Sequence, residues 1–316
     1  DILEHKFQSE TIIVVDSSNS DNKELQSFEK VKYIRSSHKN QPYQRYVGYL
    51  ASQSPILIYL DDDMEINNSE TMKIITEHFN NKEVIGVAIN FINHNEFLEK
   101  TVPKSKFRID NKKSLKNTII KMLKNFSGQQ SLEDGDYSFN GLKGKQPANG
   151  GPTKWFSGGS FAVKKEFLYK NFNFNLFDLY ETGLGKGEDG IIGYTLSKQG
   201  NLVFEPNILF IHNDQKDSVY TKNMFSFSQR VLFSRFYLSL EFSRLNNIGK
   251  IKPYIYFHWY ALWRVFGLLI NQLFSYNKER KMVLDGYLSA WKKVSLNKVK
   301  FQKKEFWENE ALNDIN

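Results

Sequence analysis

Two short apolar runs, each ending in aspartate, constrain the fold most strongly. Thr11–Val15 (TIIVV) is followed by Asp16, and Ile56–Leu60 (ILIYL) runs directly into Asp61–Asp63. Runs of this length and β-branched composition are typical of buried strands in a parallel sheet. Ligands bind at the carboxyl ends of such strands, so these aspartates stand where a site is expected.

Helical and strand-like segments alternate along the first two thirds of the chain. The predicted segments are strands at Val31–Ile34, Val84–Phe91, Leu202–Glu205 and Ile208–His212, and helices at Gln44–Ser52, Asn67–Asn80 and Glu188–Gln199. This alternation predicts an α/β fold with a Rossmann-like, mixed but mostly parallel sheet flanked by helices. The stretch 127–153 is rich in Gly, Asn, Gln and Lys, which predicts a long loop that is either functional or disordered.

The positive charge is concentrated in the last third of the chain. The whole chain has 43 Lys and Arg against 35 Asp and Glu, a net charge of +8. Residues 215–316 hold 17 basic against 8 acidic residues, whereas residues 1–214 hold 26 against 27. We therefore predict a domain at 1–214 and a basic, aromatic-rich helical extension at 215–316. This distribution argues against a nucleic-acid ligand and favours contact of the extension with an anionic partner.

The absence of cysteine limits the available chemistry. With no Cys in the chain, disulfides, thiolate metal sites and a Cys nucleophile are excluded, so a metal must use oxygen or imidazole ligands. The chain starts at Asp1 rather than Met, and its first ten residues are polar. We expect the sequence to begin inside a longer protein.

The Asp61–Asp63 triplet is a candidate metal site. In an extended segment Asp61 and Asp63 point to the same side, and paired carboxylates suit Mg²⁺ or Mn²⁺. His212 ends another apolar strand and is a candidate third ligand. The alternative interpretations are a solvated acidic turn for the triplet and a hydrogen-bonded histidine at the sheet rim for His212.

Three further features carry both a functional and a structural interpretation. Gly158 and Gly159 either let backbone approach a ligand or form a tight bend. Glu188 and Asp189 either include a general base or cap the helix that they begin. Asp16 either faces the same site as Asp61 or closes an Asx turn at the end of its strand.

The order of these motifs along residues 11–212 resembles the family 2 glycosyltransferases of the GT-A fold. The matching motifs are VVD at Asp16, R-x-x-G at Arg45 and Gly48, LDDD at Asp61–Asp63, WFSGGS at Trp155–Ser160, GEDG at Glu188 and Asp189, and FIHND at His212. The resemblance implies an inverting transferase that moves a sugar from a nucleotide-diphosphate sugar, with UDP favoured as the nucleotide, to an acceptor hydroxyl.

The resemblance also implies roles for individual residues. The donor-binding residues are expected to be Asp16, Arg45, Asp61, Asp62, Gly158 and Gly159, the ligands of Mn²⁺ or Mg²⁺ to be Asp61, Asp63 and His212, and the catalytic residues to be Asp189 as base with Glu188 beside it.

The chain departs from the family pattern at three points. Ser17–Asn19 stand where the family has Asp-Gly-Ser, Tyr46 stands where it has Asn, and the apolar strand that should precede Thr11 is missing. Two other functions are therefore considered. A nucleotidyltransferase would need a Gly-rich phosphate loop with a basic residue after the first strand, which the chain lacks. A non-catalytic or truncated binding module at a membrane surface is the stronger alternative.

The aromatic segment Pro253–Asn277 has three alternative interpretations. It is apolar, but His258, Arg264, Asn271 and Gln272 interrupt it. It either packs in the core, lies in the interface of an anionic membrane, or spans that membrane. Interfacial contact would suit a glycan or lipid-linked acceptor in polysaccharide or glycoconjugate synthesis, with the protein in the cytoplasm at the cytoplasmic face of the membrane.

Overall fold

The computed structural model describes residues 11–93, 132–213, 223–274, 276–296 and 301–316 of the 316-residue chain. The strands are β1 Ile12–Asp16, β2 Val31–Arg35, β3 Ile56–Leu60, β4 Met64–Ile66, β5 Val84–Asn93, β6 Gly151–Thr153, β7 Ser160–Lys164 and β8 Asn201–His212. The α-helices are α1 Lys23–Gln26, α2 Gln41–Ala51, α3 Thr71–Glu77, α4 Asn175–Glu181, α5 Glu188–Ser197, α6 Met224–Leu245, α7 Ile251–Phe274, α8 Lys278–Ser295 and α9 Lys304–Ile315.

The main sheet is mixed. Its strands follow the order β3-β7-β5-β8-β4, and β6 pairs with β8. Strands β3, β5 and β8 run in one direction, and β7, β4 and β6 run against them. Strands β1 and β2 form a separate parallel pair. The predicted α/β class with a mixed sheet flanked by helices is confirmed. The short strand β7 lies between β3 and β5, so both of these pair with it in an antiparallel manner.

Several element boundaries differ from the prediction. Leu202–Glu205 and Ile208–His212 belong to the single strand β8, whose register against β5 shifts between Glu205 and Ile208. Pro206 lies in this shift and has no backbone N–H to donate, which breaks the periodicity along the sequence. The predicted helix at Asn67–Asn80 is the shorter α3, which is followed by a 3₁₀ turn at His78–Asn80.

Strand pairing brings the ends of three distant segments together. Leu60, the last residue of β3, pairs with Ser160, which follows the Gly158-Gly159 turn. Met64 pairs with His212 at the end of β8. The triplet Asp61–Asp63 therefore lies between the glycine pair and the histidine, because its two flanking residues are held by different strands of one sheet.

The helices that follow the sheet pack onto it and onto one another. A core of buried residues joins α5 to α6, α7 and α8, with Leu232, Phe257 and Ala290 among its least exposed members. Helix α9 returns to the front of the chain and buries Trp307 against Tyr43 of α2. The stretch 127–153 is described from residue 132 onward, where it includes β6.

Helix α7 has two contrasting faces. Phe257, Tyr260, Ala261 and Val265 are buried in the core with α6 and α8. Exposed apolar side chains recur every three or four residues along the other face, at Ile251, Ile255, Trp259, Leu262, Phe266 and Leu269. Among the helices of the described residues, none combines the length and apolarity needed to cross a membrane.

Candidate active site

The predicted site residues line one cleft of about 830 Å³. Its floor is built from the end of β3, the turn before β7, the end of β8 and the first turn of α5. The predicted residues that line it are Asp61, Asp62, Asp63, Gly158, Gly159, Glu188, Asp189 and His212. Segments separated by up to about 150 residues therefore converge on one surface, as the motif order predicts.

Arg45 connects two acidic segments beneath the cleft. It projects from α2 and is 8% exposed. Its Nη2 donates to Oδ1 of Asp61 at 2.9 Å, and its Nη1 donates to Oε1 of Glu188 at 3.3 Å. Gln41, one turn earlier on α2, also donates to Oδ1 of Asp61 at 2.9 Å. Asp61 is thus held by two side chains of one helix. The carboxylates of Asp61 and Glu188 supply the negative charge that the buried guanidinium of Arg45 requires.

Asp63 and His212 form a close pair. Nε2 of His212 lies 3.0 Å from Oδ2 of Asp63, and the backbone N–H of Asn213 donates to the Asp63 carbonyl oxygen. The other carboxylate oxygen, Oδ1, is buried and has no hydrogen-bond partner among the described residues. Burial and the charges of Asp61 and Asp62 raise the pKa of Asp63 against the opposing effect of His212. The carboxylate is therefore poorly neutralised by the protein alone.

Two of the three predicted metal ligands are thus in contact, while Asp61 is bonded to Arg45 and Gln41. Across the described residues, no three or more His, Cys, Asp or Glu side chains are grouped closely enough to hold a metal ion. A buried carboxylate oxygen that lacks a partner beside an imidazole nevertheless fits a divalent ion, because hard oxygen and imidazole donors suit Mg²⁺ or Mn²⁺.

The glycine pair forms a tight turn against the acidic triplet. Gly159 has φ +99°, and a Cβ atom there would lie 1.9 Å from Cε of Met64. Its carbonyl oxygen accepts from the backbone N–H of Asp61 at 2.8 Å. A Cβ atom on Gly158 would lie 3.6 Å from Oδ2 of Asp189. The turn therefore satisfies both interpretations of these glycines, since it is a tight bend whose backbone also borders the cleft.

Asp189 lies at the start of α5 beside a lysine. Both Asp189 and Glu188 belong to the first turn of that helix, whose N-cap is Gly187 with φ +86°. Nζ of Lys143 lies 2.5 Å from Oδ2 of Asp189 and donates to the Phe156 carbonyl oxygen at 3.2 Å. Asp189 is 6% exposed, and the lysine neutralises its charge at the cleft wall.

Glu188 is buried between two polar groups. It is bonded to Arg45 and to the hydroxyl of Tyr180. Burial and the neighbouring charge of Asp189 raise the pKa of Glu188 to about 6, although Arg45 acts in the opposite direction. The two adjacent acidic residues therefore have different surroundings, with Glu188 directed toward α2 and Asp189 toward Lys143 and the glycine turn.

Asp16 and Asp62 have less central positions. Asp16 accepts hydrogen bonds from the backbone N–H and hydroxyl of Ser18, each at 2.7 Å, and from Tyr33 Oη at 2.6 Å. Burial opposes these bonds, but they hold the pKa of Asp16 below its usual range. Asp16 closes an Asx turn and is not among the residues that line the cleft. Asp62 does line it and is exposed.

Several cleft residues were not predicted from the sequence. Gln41, Lys143, Tyr180, Lys186, Arg230 and Arg235 all line the cleft. No motif marks them individually. The functional interpretation of the stretch 127–153 was the only signal for Lys143, and the excess of positive charge after residue 215 was the only one for Arg230 and Arg235.

Comparison with known proteins identifies the front part of the chain. The model of the family described as Glycosyl transferase family 2 matches residues 1–140. No curated protein matches the chain. The match over residues 1–140 supports the predicted resemblance to glycosyl transferase family 2, and the enzyme class that the sequence predicts, a glycosyltransferase, is confirmed. The glycine pair, the Glu188-Asp189 pair and His212 lie beyond the matched residues.

Two solved structures are similar to the chain at low sequence identity. One is GalNAc-T7 with UDP, GalNAc and Mn²⁺, with 17% identity and a TM-score of 0.41, over 76% of this chain and 46% of that one. This chain thus spans about half the length of the GalNAc-T7 chain. The other is the mannosyltransferase PcManGT from Pyrobaculum calidifontis in complex with GDP-Man and Mn²⁺, with 11% identity and a TM-score of 0.46. That match covers 91% of this chain and 78% of the PcManGT chain.

Proposed function

We propose that this chain transfers a sugar from a nucleotide-diphosphate sugar to an acceptor hydroxyl with inversion at the anomeric carbon. The observation that carries the proposal is the convergence of Asp189 with the Asp61–Asp63 and His212 segments on one cleft. A carboxylate on one wall and an acidic, imidazole-containing strand end on the other are the two parts that a direct displacement needs.

Asp189 is the general base of this proposal. An acceptor hydroxyl has a high pKa and must lose its proton as its oxygen attacks the anomeric carbon, so a carboxylate must lie within hydrogen-bond reach. Asp189 borders the cleft beside Gly158, which has no side chain to cover that carboxylate. Attack from the face opposite the leaving nucleotide forms the new C–O bond as the old one breaks, which inverts the configuration.

Asp63 and His212 are the proposed ligands of a divalent ion, Mn²⁺ or Mg²⁺, with Asp61 beside them. When bound, such an ion supplies Lewis-acid stabilisation of the negative charge on the leaving diphosphate. Oδ1 of Asp63, which has no hydrogen-bond partner in the described part of the chain, supports this role. Arg45 keeps Asp61 in place through its 2.9 Å hydrogen bond and is itself fixed by Glu188.

The glycine turn shapes the donor side, and Arg45 lies beneath it. Gly158 and Gly159 present backbone rather than side chains to the cleft, which leaves room for the sugar and helps to exclude water. UDP-sugars are the favoured donors. Asp16 is expected at the nucleotide end, although its carboxylate is bonded to Ser18 and Tyr33.

The test is a panel of UDP-, GDP- and dTDP-sugars with Mn²⁺, in which release of the nucleoside diphosphate is measured. Release is expected for one donor, and Asp189→Asn should reduce it by at least about 10²-fold, the usual contribution of a general base. The matched control is Asp285→Asn, an exposed aspartate on α8. Inversion is checked by the anomeric coupling constant of the product.

If no donor releases its nucleoside diphosphate, the proposal is contradicted and the non-catalytic binding module is favoured. If Asp285→Asn reduces the release as much as Asp189→Asn does, the role of Asp189 is contradicted. Either result leaves the match of residues 1–140 to the family model unchanged.

We also propose that the exposed face of α7 contacts an anionic membrane, where it would meet a glycan or lipid-linked acceptor at the cytoplasmic face. Trp259, Leu262 and Phe266 lie on this face. The exposed cations near the two ends of the helix are Lys250, Lys252, Lys278, Arg280 and Lys281. Apolar side chains flanked by cations suit insertion at the level of anionic headgroups.

The membrane contact is tested by co-sedimentation of the chain with mixed phosphatidylglycerol–phosphatidylcholine vesicles. Leu262→Ser should weaken binding, and high salt should also weaken it. The matched control is Leu312→Ser on α9, because Leu312 and Leu262 are 49% and 47% exposed. Equal binding by both variants, or equal binding to vesicles without the anionic lipid, would contradict the contact.

A further inference from the structure

Four basic side chains form one wall of the cleft. Lys143, Lys186, Arg230 and Arg235 all line it. They come from the loop before β6, the loop before α5 and the helix α6. We refer to these four residues as the basic wall.

Hydrogen bonds to backbone fix the two arginines of the basic wall. Nε and Nη2 of Arg230 donate to the Gly185 carbonyl oxygen at 3.0 and 2.7 Å. Nη1 of Arg235 donates to the Asn140 carbonyl oxygen at 3.0 Å. Between them on the same face of α6, the hydroxyl of Ser234 donates to the Leu184 carbonyl oxygen at 3.0 Å. The wall is therefore preorganised by the packing of α6 on the loop before α5.

The charges in the cleft are divided between two sides. Burial and the nearby charges of Arg230, Arg235 and Lys143 lower the pKa of Lys186, and Asp189 opposes them. The charged groups that act on Asp63 are His212, Asp61 and Asp62. Positive charge thus accumulates on the Asp189 side of the cleft, and negative charge accumulates at the proposed metal site.

We propose that the basic wall binds an anionic group, a phosphate or a carboxylate, that the acceptor carries close to the hydroxyl that is glycosylated. Lys143 joins the wall to the proposed base through its contact with Asp189, so an anion on the wall would lie on the acceptor side. Guanidinium groups bind the oxygens of both groups through paired N–H donors. This inference rests on the proposed glycosyltransferase reaction for its assignment to the acceptor.

The alternative occupant is the diphosphate of the donor. The position of the proposed metal site argues against it, because the ion on Asp63 and His212 would hold the diphosphate on the other side of the cleft. The experiment must therefore measure anion binding while the donor site is filled.

The test is calorimetric titration of the full chain, saturated with nucleoside diphosphate and Mn²⁺, with three probes. Glycerol 1-phosphate and glucuronate distinguish a phosphate from a carboxylate, and glucose is the neutral probe. At least one anion is expected to bind at least about tenfold more tightly than glucose, which corresponds to about 1.4 kcal/mol. Arg235→Gln and, separately, Lys186→Gln should each remove most of that difference.

The matched control is Lys170→Gln, which changes an exposed lysine that does not line the cleft. Nucleoside diphosphate affinity should stay within about twofold in both wall variants, and this also shows that they are folded. A parallel loss of nucleotide affinity in both wall variants would assign the wall to the donor and overturn the proposal. Equal affinity for the anions and glucose would also overturn it. Failure of the reaction itself is measured separately, by the absence of nucleotide release across the donor panel.

Discussion

Nζ of Lys143 lies 2.5 Å from Oδ2 of Asp189, a residue at the N-terminus of α5. The lysine is also 4.9 Å from the centre of the Trp155 ring and is bonded to the Phe156 carbonyl oxygen. The lysine is thus held from three directions, and it fixes Oδ2 of the carboxylate in turn. A base that is fixed in this way loses little entropy when an acceptor hydroxyl approaches it.

Removal of the lysine should therefore destabilise the fold as well as the site. We expect Lys143→Met to lower the free energy of unfolding by about 1–3 kcal/mol, because it leaves the buried carboxylate of Asp189 without its cation. Urea unfolding at neutral pH measures the change. The exposed Lys145→Met is the control, and adding Asp189→Asn to Lys143→Met should recover part of the loss. Strictly additive effects would contradict the coupling.

Substitution of the proposed metal ligands should weaken nucleotide binding far more than substitution of their exposed neighbour Asp62. Asp63→Asn and His212→Ala are each expected to weaken Mn²⁺-dependent nucleotide binding by at least about tenfold. Asp62→Asn should change it much less, because Asp62 lies exposed at the rim. Calorimetric titration of the nucleotide with Mn²⁺ and with a chelator gives the metal-dependent part. Equal losses for Asp62 and Asp63 would argue against a specific metal position.

Glu188 should make stability depend on pH near neutrality. Its pKa is raised from 4.5 to about 6 in the folded state, so the folded chain holds this proton more tightly than the unfolded chain does. The associated stabilisation is complete below about pH 4.5 and is lost as the pH rises through about 6. Relative to Glu188→Gln, the wild type should lose about 1–2 kcal/mol of its free energy of unfolding across that pH range.

Chemical unfolding at several pH values measures this difference. The exposed Glu166→Gln is the control and should run parallel to the wild type through the same range. If the free energies of unfolding of the wild type and Glu188→Gln differ by a constant amount from pH 4 to pH 7, this titration is ruled out.

Substitutions in the glycine turn can separate the cost of backbone strain from the cost of a side-chain collision. Gly159 and Gly183 both have positive φ, +99° and +71°, but only at Gly159 would a Cβ atom collide with a neighbour, Met64. Gly183→Ala should cost only backbone strain, about 1–2 kcal/mol. Gly159→Ala should cost more, and Met64→Ala in the same chain should recover the excess. Thermal unfolding of these variants measures both effects, and equal costs at the two glycines would contradict the packing.

Much of the acidic half of the site was predictable because its residues follow recognisable apolar strands. Asp63 and His212 are 149 residues apart, yet their strand ends made both candidate metal ligands, which the family resemblance then implied, and they lie 3.0 Å apart. Asp16 also ends a strand, but among the described residues that strand pairs only with β2, in a separate sheet. Local strand patterns do not reveal which strands share a sheet, so they left open whether Asp16 faces the site of Asp61 or closes an Asx turn.

The basic half of the site was not predictable from the sequence. Lys143 reaches Asp189 from a loop 46 residues earlier, and no spacing rule relates a loop lysine to a helix start. Arg230 and Arg235 occupy the ordinary polar positions of an amphipathic helix. Their role depends on the orientation of α6 against the loop at Leu184 and Gly185, which is a tertiary property.

Helix α9 gives the chain an unusual order of assembly. Asp314 accepts hydrogen bonds from the backbone of Ser37 and the hydroxyl of Tyr43, and Trp307 fills the core beneath α2. The helix that carries Arg45 is therefore completed by residues translated some 270 positions later. On the ribosome, where front segments fold first, the strands can form early while the packing of α2 waits for α9. Synthesis of α9 would thus act as the timing step for activity.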